Sequence, residues 1–531
     1  VSRGGKTAVK ISANVDSPKL WSAEHPNIYA LILTLRDSFG NEQEVLSTQL
    51  GFREIGFTPT QVDSNYKVTT TSWQPMTING KRLLLKGVNR HDTDPFHGKA
   101  VPQETMREDI FLMQKNNVNA IRTSHYSNDS YLYWLCNKYG MYVMGETNME
   151  SHALMNDNDN KARFYELAMD RTETAYKRLK NNPSIVAWSI GNEMAYTSDP
   201  NAAGGMFRDM IWYFKKNDPT RPVHSEGQGN AMGVDMGSNM YPASQWLGGN
   251  GGNGKIPYVM CEYDHAMGNS LGTLKEYWDV VRAHQNMLGG FIWDWVDQSR
   301  AVPLDKVGGG WDYYSEPYAR KNLYAEESKG KFFAYGGDWG DKPNDNSFCE
   351  NGIISPDRTE QPEAAEVRYQ YQSFWFSASA EQLSKNQISV FNENDFTDLN
   401  EFDLNWSLLK NGISIQSGTV EGASAAPLTR ADITVPFKLP EKRLAGDEFI
   451  LDLSVVKRSD ERMIPAGTEV AYEQIPISSS GRSVSNAAEG SVEIADSSDC
   501  YNVKGSDFSF RIEKSTGLMT KYTYKIGRAH V

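Results

Sequence analysis

IVAWSIGNE, at Ile185–Glu193, is an apolar run rich in β-branched and aromatic side chains that ends abruptly in an amide and a carboxylate. A buried strand accounts for the run, whereas a charge at its carboxyl end is costly unless it is paired or put to use. The same grammar recurs at Leu83–His91, Ala120–His125, Tyr142–Asn148, Pro222–Glu226, Gly237–Tyr241, Tyr258–Tyr263 and Gly290–Trp295. Between these runs the apolar period lengthens to that of a helix. Met106, Ile110 and Met113 share one face, Leu132, Leu135, Cys136 and Tyr139 a second, and Leu271, Leu274, Trp278 and Val281 a third. Eight short strands joined by helical crossovers predict a closed (β/α)8 TIM barrel over residues 59–374. The GGNGGNG run at Gly248–Gly254 predicts a long, mobile loop after the sixth strand.

Outward from the barrel, the alternation changes to period two. Tyr29–Arg36 (YALILTLR), followed by turn residues at Asp37–Asn41, reads as the end of a β-sandwich over 1–58. Phe402–Leu409 and Phe449–Val456 repeat the pattern and predict a second immunoglobulin-like sandwich over 375–480. A further β unit begins near Gly490 and runs through Phe508–Ile512, so 481–531 reads as the truncated start of a carboxyl-terminal sandwich domain. The first residue is Val1 with no basic-then-apolar leader, which reads as an internal fragment and leaves the compartment open. The closing IGRAHV, Ile526–Val531, is expected to carry no structural role.

In a barrel of this kind, function gathers at the carboxyl ends of the strands. Those ends are unusually polar here: Asn89-Arg90-His91-Asp92, Arg122-Thr123-Ser124-His125, Glu146-Thr147-Asn148 with Glu150 and His152 beyond, Asn192-Glu193, and Glu262. A structural ion-pair layer explains any one of them; five together point to a site. Glu193 and Glu262, on the fourth and seventh strands, face each other across the barrel mouth. Two carboxyl groups about 5 to 5.5 Å apart leave no space for a water, so one attacks the anomeric carbon while the other protonates the leaving oxygen.

At these residues the sequence resembles the lac-type β-galactosidases of glycoside hydrolase family 2. The resemblance rests on GVNRHDTDPFHG at Gly87–Gly98, AIRTSHY at Ala120–Tyr126, WSIGNE at Trp188–Glu193, CEYDHAMGNS at Cys261–Ser270 and GGFIWDWVDQ at Gly289–Gln298, with LWSAEHPNIY and GFREIGF upstream. It implies a retaining β-galactosidase acting on terminal β-D-galactosides such as lactose, with Glu193 as general acid/base, Glu262 as nucleophile and Asn192 donating to the sugar 2-hydroxyl. It places His91, Arg122, His125, Tyr241, His265 and Trp293 against galactosyl hydroxyls, the nucleophile or the ring face. It further assigns Glu150, His152 and Glu193 to Mg2+, for which Mn2+ would serve, and Phe348 and Asn351 to Na+ or K+. Two segments that the resemblance implies do not occur here: an amino-terminal domain supplying an aspartate to the Na+ site, and a carboxyl-terminal aromatic for the aglycone. Little activity and exposed apolar surface are therefore expected of the chain alone. The longer protein is expected to form a homo-oligomer.

Composition is compatible with this. With 39% hydrophobic and 23% charged residues the chain reads as globular, and no apolar run reaches the roughly 18 residues that span a bilayer. A net charge of −13 disfavours nucleic acid, because phosphates are bound through clustered Lys and Arg. Cys136, Cys261, Cys349 and Cys500 show neither metal-binding nor disulfide-framework spacing. Two competitors share parts of the pattern: a β-glucuronidase or β-mannosidase of the same family, and a non-catalytic carbohydrate-binding protein. A glucuronidase would want a basic patch for its uronate; intact Glu193 and Glu262 argue against lost catalysis.

Overall fold

The computed structural model describes residues 4–152, 162–229, 231–303, 326–444, 446–479, 490–524 and 527–529. They fall into two units. The first covers 1–409, 414–437 and 451–475, and the second 410–413, 438–450 and 476–531.

The first unit is built on an eight-stranded parallel sheet. Its strands are Leu85–Asn89, Ala120–Arg122, Tyr142–Glu146, Ile185–Ser189, Val223–His224, Gly237–Met240, Tyr258–Tyr263 and Met287–Ile292. Neighbours follow chain order and the eighth strand pairs with the first, leaving no ladder between the fifth and sixth among the described residues. Asp235 spans that seam: its N–H donates to the Val223 carbonyl, and its carboxylate accepts from the Val223 N–H, both at 2.9 Å. Side chains alternate between interior and helical layer, as the pleat requires. Along the third strand Tyr142 and Met144 join a cluster with Leu85, Ala120, Val259 and Phe291. Val143 belongs instead to the cluster that includes Ile110, Leu132 and Trp278 of the surrounding helices.

The predicted helical faces are largely buried, although Tyr139 is only half-buried and Leu271 precedes the Leu274–Ala283 helix. Met106, Ile110 and Met113 lie on Gln103–Lys115, and Leu132, Leu135 and Cys136 on Ser130–Tyr139. The second helix is capped at one end by Asp129, which accepts from the Tyr131 N–H at 2.8 Å, and stopped at the other by Gly140 with φ +81°. GGNGGNG departs from its expected loop form. Ser244–Trp246 is helical and continues as a wider turn over Leu247–Gly251. Leu247 is buried and ties the glycines to the core, overriding their conformational freedom.

At the amino end, Tyr29–Arg36 and Glu42–Leu50 form an antiparallel hairpin, both of whose faces are largely exposed. The alternation forecast the strand but not its burial, because no second sheet packs on it among the described residues. Beyond the barrel lie two antiparallel sheets. One orders Phe374–Ser377, Gln387–Asn392 and Arg430–Thr434; the other orders Ile413–Thr419, Phe402–Lys410, Glu448–Lys457 and Glu469–Ser479. Alternate residues of Phe402–Lys410 and Glu448–Lys457 are buried, as facing sheets demand. In the second unit an antiparallel meander runs Glu493–Asp496, Cys500–Lys504, Phe508–Glu513, Met519–Tyr524 and Gly527–Ala529. The closing tail thus pairs in part, with Gly527 opposite Tyr524; Ile526, His530 and Val531 lie outside the described residues.

Candidate active site

Pleat parity decides which strand-end groups meet. Leu85, Gly87 and Asn89 share one face of the first strand, Ala120 and Arg122 one face of the second, and Tyr142, Met144 and Glu146 one face of the third. Asn89, Arg122 and Glu146 therefore close the barrel interior from above. Arg90, one residue out of phase, turns toward the helices, where it pairs with Asp109 at 2.8 Å and contacts Asp92; Arg358 joins Asp109 at 3.0 Å. The structural reading of strand-end charges holds for Arg90 and Asp92.

Arg122 is the hub. Fully buried, it donates to both oxygens of Glu146 at 2.8 and 3.1 Å, to Glu262 Oε1 at 3.0 Å, to Asn89 Oδ1 at 2.9 Å and to Asn192 Oδ1 at 2.6 Å. A planar guanidinium can hold four partners in fixed directions, which a lysine cannot. Burial alone would raise the Glu146 carboxyl. Arg122, then His125 at 2.9 Å and Ser189 at 2.6 Å, reverse this and hold it at about 2. Glu262 receives a second donor, the Tyr241 hydroxyl, at 2.7 Å on Oε2. Burial and the adjacent Glu262 charge raise the Tyr241 phenol, so it stays protonated and keeps donating.

Glu193 sits in contrasting surroundings. Its backbone is left-handed, φ +42°, a strained conformation of the kind that clusters at functional sites. Burial, then the Glu150 carboxylate, raise its pKa above the ordinary range; His152, bonded through Nδ1 to Glu193 Oε2, opposes this, and Glu262 adds to the rise. One carboxyl with charge-stabilising donors and one with its proton favoured is the division of labour that acid/nucleophile chemistry needs.

The aromatic and imidazole groups gather on the side of the first, second and eighth strands. His125 and Trp293 stack with centroids 5.2 Å apart, and His91 meets both edge-on, at 5.4 Å from His125 and 5.5 Å from Trp293. Burial, then the neighbouring His125, depress the His91 pKa well below its usual value. His125 Nε2 lies 3.9 Å from Glu262 Oε1 and 3.7 Å from Glu150 Oε2. Trp293 is half-buried, whereas Trp295 is fully buried and donates to Asp109 at 3.1 Å, so the two tryptophans divide between site and core. His265 bridges Tyr241 and Phe348, with ring centroids 5.7 and 5.8 Å away.

The two expected cation sites differ in how their residues are arranged. Glu150 accepts the His152 N–H at 2.9 Å and the Asn192 amide at 2.7 Å, and His152 reaches Glu193, so the Mg2+ set meets in one place. Its nitrogen faces a carboxylate rather than a shared centre, and among the described residues no three such groups are poised to hold an ion. For Na+, Asn351 Oδ1 is buried without a hydrogen-bond partner, while its amide donates to the Phe348 carbonyl at 3.2 Å. A lone buried oxygen beside a carbonyl suits a hard monovalent cation.

Several contributors carried no assignment in the sequence reading. Glu146 and Asn89 stood at strand ends, but their bonds to Arg122 depend on barrel register. Tyr126 orients His91 Nδ1 at 3.1 Å from a turn that only tertiary folding brings near. Glu226, ending the fifth run, is 3% exposed and pushed by burial to about 7; it accepts the Tyr196 hydroxyl at 2.6 Å.

With this geometry in view, comparisons with known proteins are specific. The family described as "Glycosyl hydrolases family 2, TIM barrel domain" matches residues 68–376, "Beta-galactosidase, domain 4" matches 388–478, and "Glycosyl hydrolases family 2" matches 1–53. A β-galactosidase of Priestia megaterium is 36% identical over 543 residues, covering 99% of this chain and 48% of that protein. One from Halalkalibacterium halodurans is 34% identical over 530 residues, covering 97% and 47%. The chain thus spans about half the length of the curated relatives it matches. Among solved structures, the Bacteroides uniformis β-glucuronidase aligns with a TM-score of 0.50 at 16% identity, over 87% of this chain and 52% of that one, a likeness of fold alone. The long barrel match, on a sheet whose strand ends bring Glu193, Glu262 and Arg122 together, decides the assignment: the chain belongs to glycosyl hydrolase family 2.

Proposed function

We propose that this chain is the catalytic core of a retaining β-galactosidase. The observation that carries the reading is the Arg122 fork, which ties Glu262 to Asn192, the residue next to Glu193, through bonds of 3.0 and 2.6 Å. It holds nucleophile and sugar-reading amide in one frame. The identity to two β-galactosidases over nearly the whole chain supports a galactoside over a uronide.

In the first half-reaction Glu262 attacks the anomeric carbon, and Glu193 gives its proton to the departing glycosidic oxygen. The bond to the leaving group breaks as a glycosyl ester forms on Glu262. Glu193, now a carboxylate, then takes a proton from water as that water's oxygen attacks the same carbon; the ester breaks and both carboxyl groups return to their starting forms. Arg122 and Tyr241 donate to the two oxygens of Glu262 and hold it aligned, and Asn192 offers its amide to the 2-hydroxyl. Glu150, His152 and Glu193 are the proposed holders of Mg2+ or Mn2+, and Phe348 and Asn351 of Na+ or K+. A divalent cation held there would supply positive charge beside the Glu193 carboxylate.

The test is to trap the longer protein that contains this chain with a 2-deoxy-2-fluoro-β-galactoside and map the labelled peptide. The label is expected on Glu262, absent from Glu262→Gln, with turnover in that variant down by about a thousandfold or more. After chelation, adding Mg2+ is expected to speed labelling. A label elsewhere, or chromogenic β-glucuronides cleaved faster than β-galactosides, would overturn the proposal.

A further inference from the structure

Glu226 and Tyr196 form a contact that the double displacement does not use. Glu226 is almost wholly buried at the end of the fifth strand, and one of its oxygens has no hydrogen-bond partner. Its other oxygen accepts the hydroxyl of Tyr196, a residue that is 59% exposed. An aromatic ring left in solvent while its hydroxyl is anchored by a buried carboxyl is a rigid, apolar face.

The segment bearing that ring is stitched down. The Thr197 N–H donates to the Gly227 carbonyl at 3.2 Å, and the Gln228 amide to the Ala195 carbonyl at 2.5 Å. At Gly227 a Cβ would come within 2.6 Å of the Met194 carbonyl oxygen, so only glycine lets the two segments lie this close. Tyr196 follows Glu193 by three positions, and each is within electrostatic reach of Glu193: burial, Glu226 and then Cys261 raise the Tyr196 phenol, with Glu193 adding to the rise.

Position then decides what the ring faces. His91, His125 and Trp293 belong to the first, second and eighth strands, and Tyr241 and His265 to the sixth and seventh. Tyr196 stands over the fourth and fifth, beside the proton donor and away from the stacked pair. Because the acid protonates the leaving oxygen, the group beyond that oxygen must lie on the acid's side. We propose that Tyr196, held by Glu226, is a specificity-determining platform for the aglycone sugar, taking the apolar face of a hexose leaving group or acceptor. This rests on the galactosidase reading above and adds a residue of the barrel to those that select the second sugar.

The experiment compares lactose with galactose, which share the glycone and differ in the second ring. In Tyr196→Ala the KM for lactose is expected to rise about threefold to tenfold, and transfer of galactose to added glucose to fall relative to hydrolysis. The inhibition constant of free galactose is expected to stay as it was. Tyr196→Phe, which keeps the ring and loses the anchor, is expected to show a smaller change of the same kind. Equal losses for lactose and galactose, or no change in either, overturn this inference and leave the galactosidase reading standing. If the longer protein that contains this chain, unsubstituted, neither binds galactose nor cleaves lactose, both readings fail.

Discussion

Glu146 shows how one buried carboxyl couples the site to stability. Its pKa of about 2 in the folded chain lies below the ordinary 4.5, because Arg122 and His125 outweigh the burial that would raise it. A folded value below the unfolded one means that its contribution is complete above about pH 4.5 and is lost as the pH falls from there toward 2. Glu146→Gln keeps the shape and removes the charge. Stability measured by urea unfolding is expected to be lower in this variant at pH 7 and to decline less steeply than the parent between pH 4.5 and 3. Parallel slopes in the two proteins would show that Glu146 is not part of the acid response. At this scale the sequence was informative about residue type and place: Glu193, Glu262, Arg122 and Asn192 stood at strand ends in motifs that named them. The family motif singled out Arg122, but residue chemistry alone did not separate it from Arg90, since two arginines at equivalent strand ends differ only in pleat parity, and parity depends on where pairing begins.

Among elements, the Ser130–Tyr139 helix illustrates what a terminal glycine does. Gly140 is left-handed, and a Cβ there would meet the Ala23 carbonyl oxygen at 2.2 Å. The Ala23 segment is itself anchored, since the neighbouring Trp21 donates to the Asn137 carbonyl at 2.8 Å. Gly140→Ala therefore carries both a backbone penalty and a steric one, together about 1–3 kcal/mol or more. Thermal unfolding should show a lowered Tm, with fluoro-sugar labelling at permissive temperature preserved; an unchanged Tm would mean that the two segments do not meet as described. The helix and its apolar face were legible from spacing. Its contact with the LWSAEHPNIY segment was not, because more than a hundred residues of chain separate the two and nothing local encodes that approach.

For the whole molecule, burial is uneven. The barrel strands Leu85–Asn89, Tyr142–Glu146 and Tyr258–Tyr263 are buried throughout, whereas the Tyr29–Arg36 and Glu42–Leu50 hairpin leaves Ile32 61%, Leu35 60% and Leu46 57% exposed. Local opening is governed by buried apolar contact, so amides of this hairpin are expected to exchange with solvent far faster than those of Tyr258–Tyr263. Equal protection in the two regions would contradict that. The exposed faces also show the limit of pattern reading: alternation announces a strand suited to a half-buried surface but cannot say which surface covers it. The amino-acid sequence by itself determined the alternation of strands and helices, the polar strand ends and the motifs of the family, because these follow from local periodicity and residue chemistry. Only the tertiary structure decided that Arg122 would join Glu146, Glu262, Asn89 and Asn192 through one guanidinium, that Tyr126 would orient His91, and that Glu226 would pin Tyr196. Those contacts exist only once the barrel has curled to bring distant strand ends within hydrogen-bonding reach.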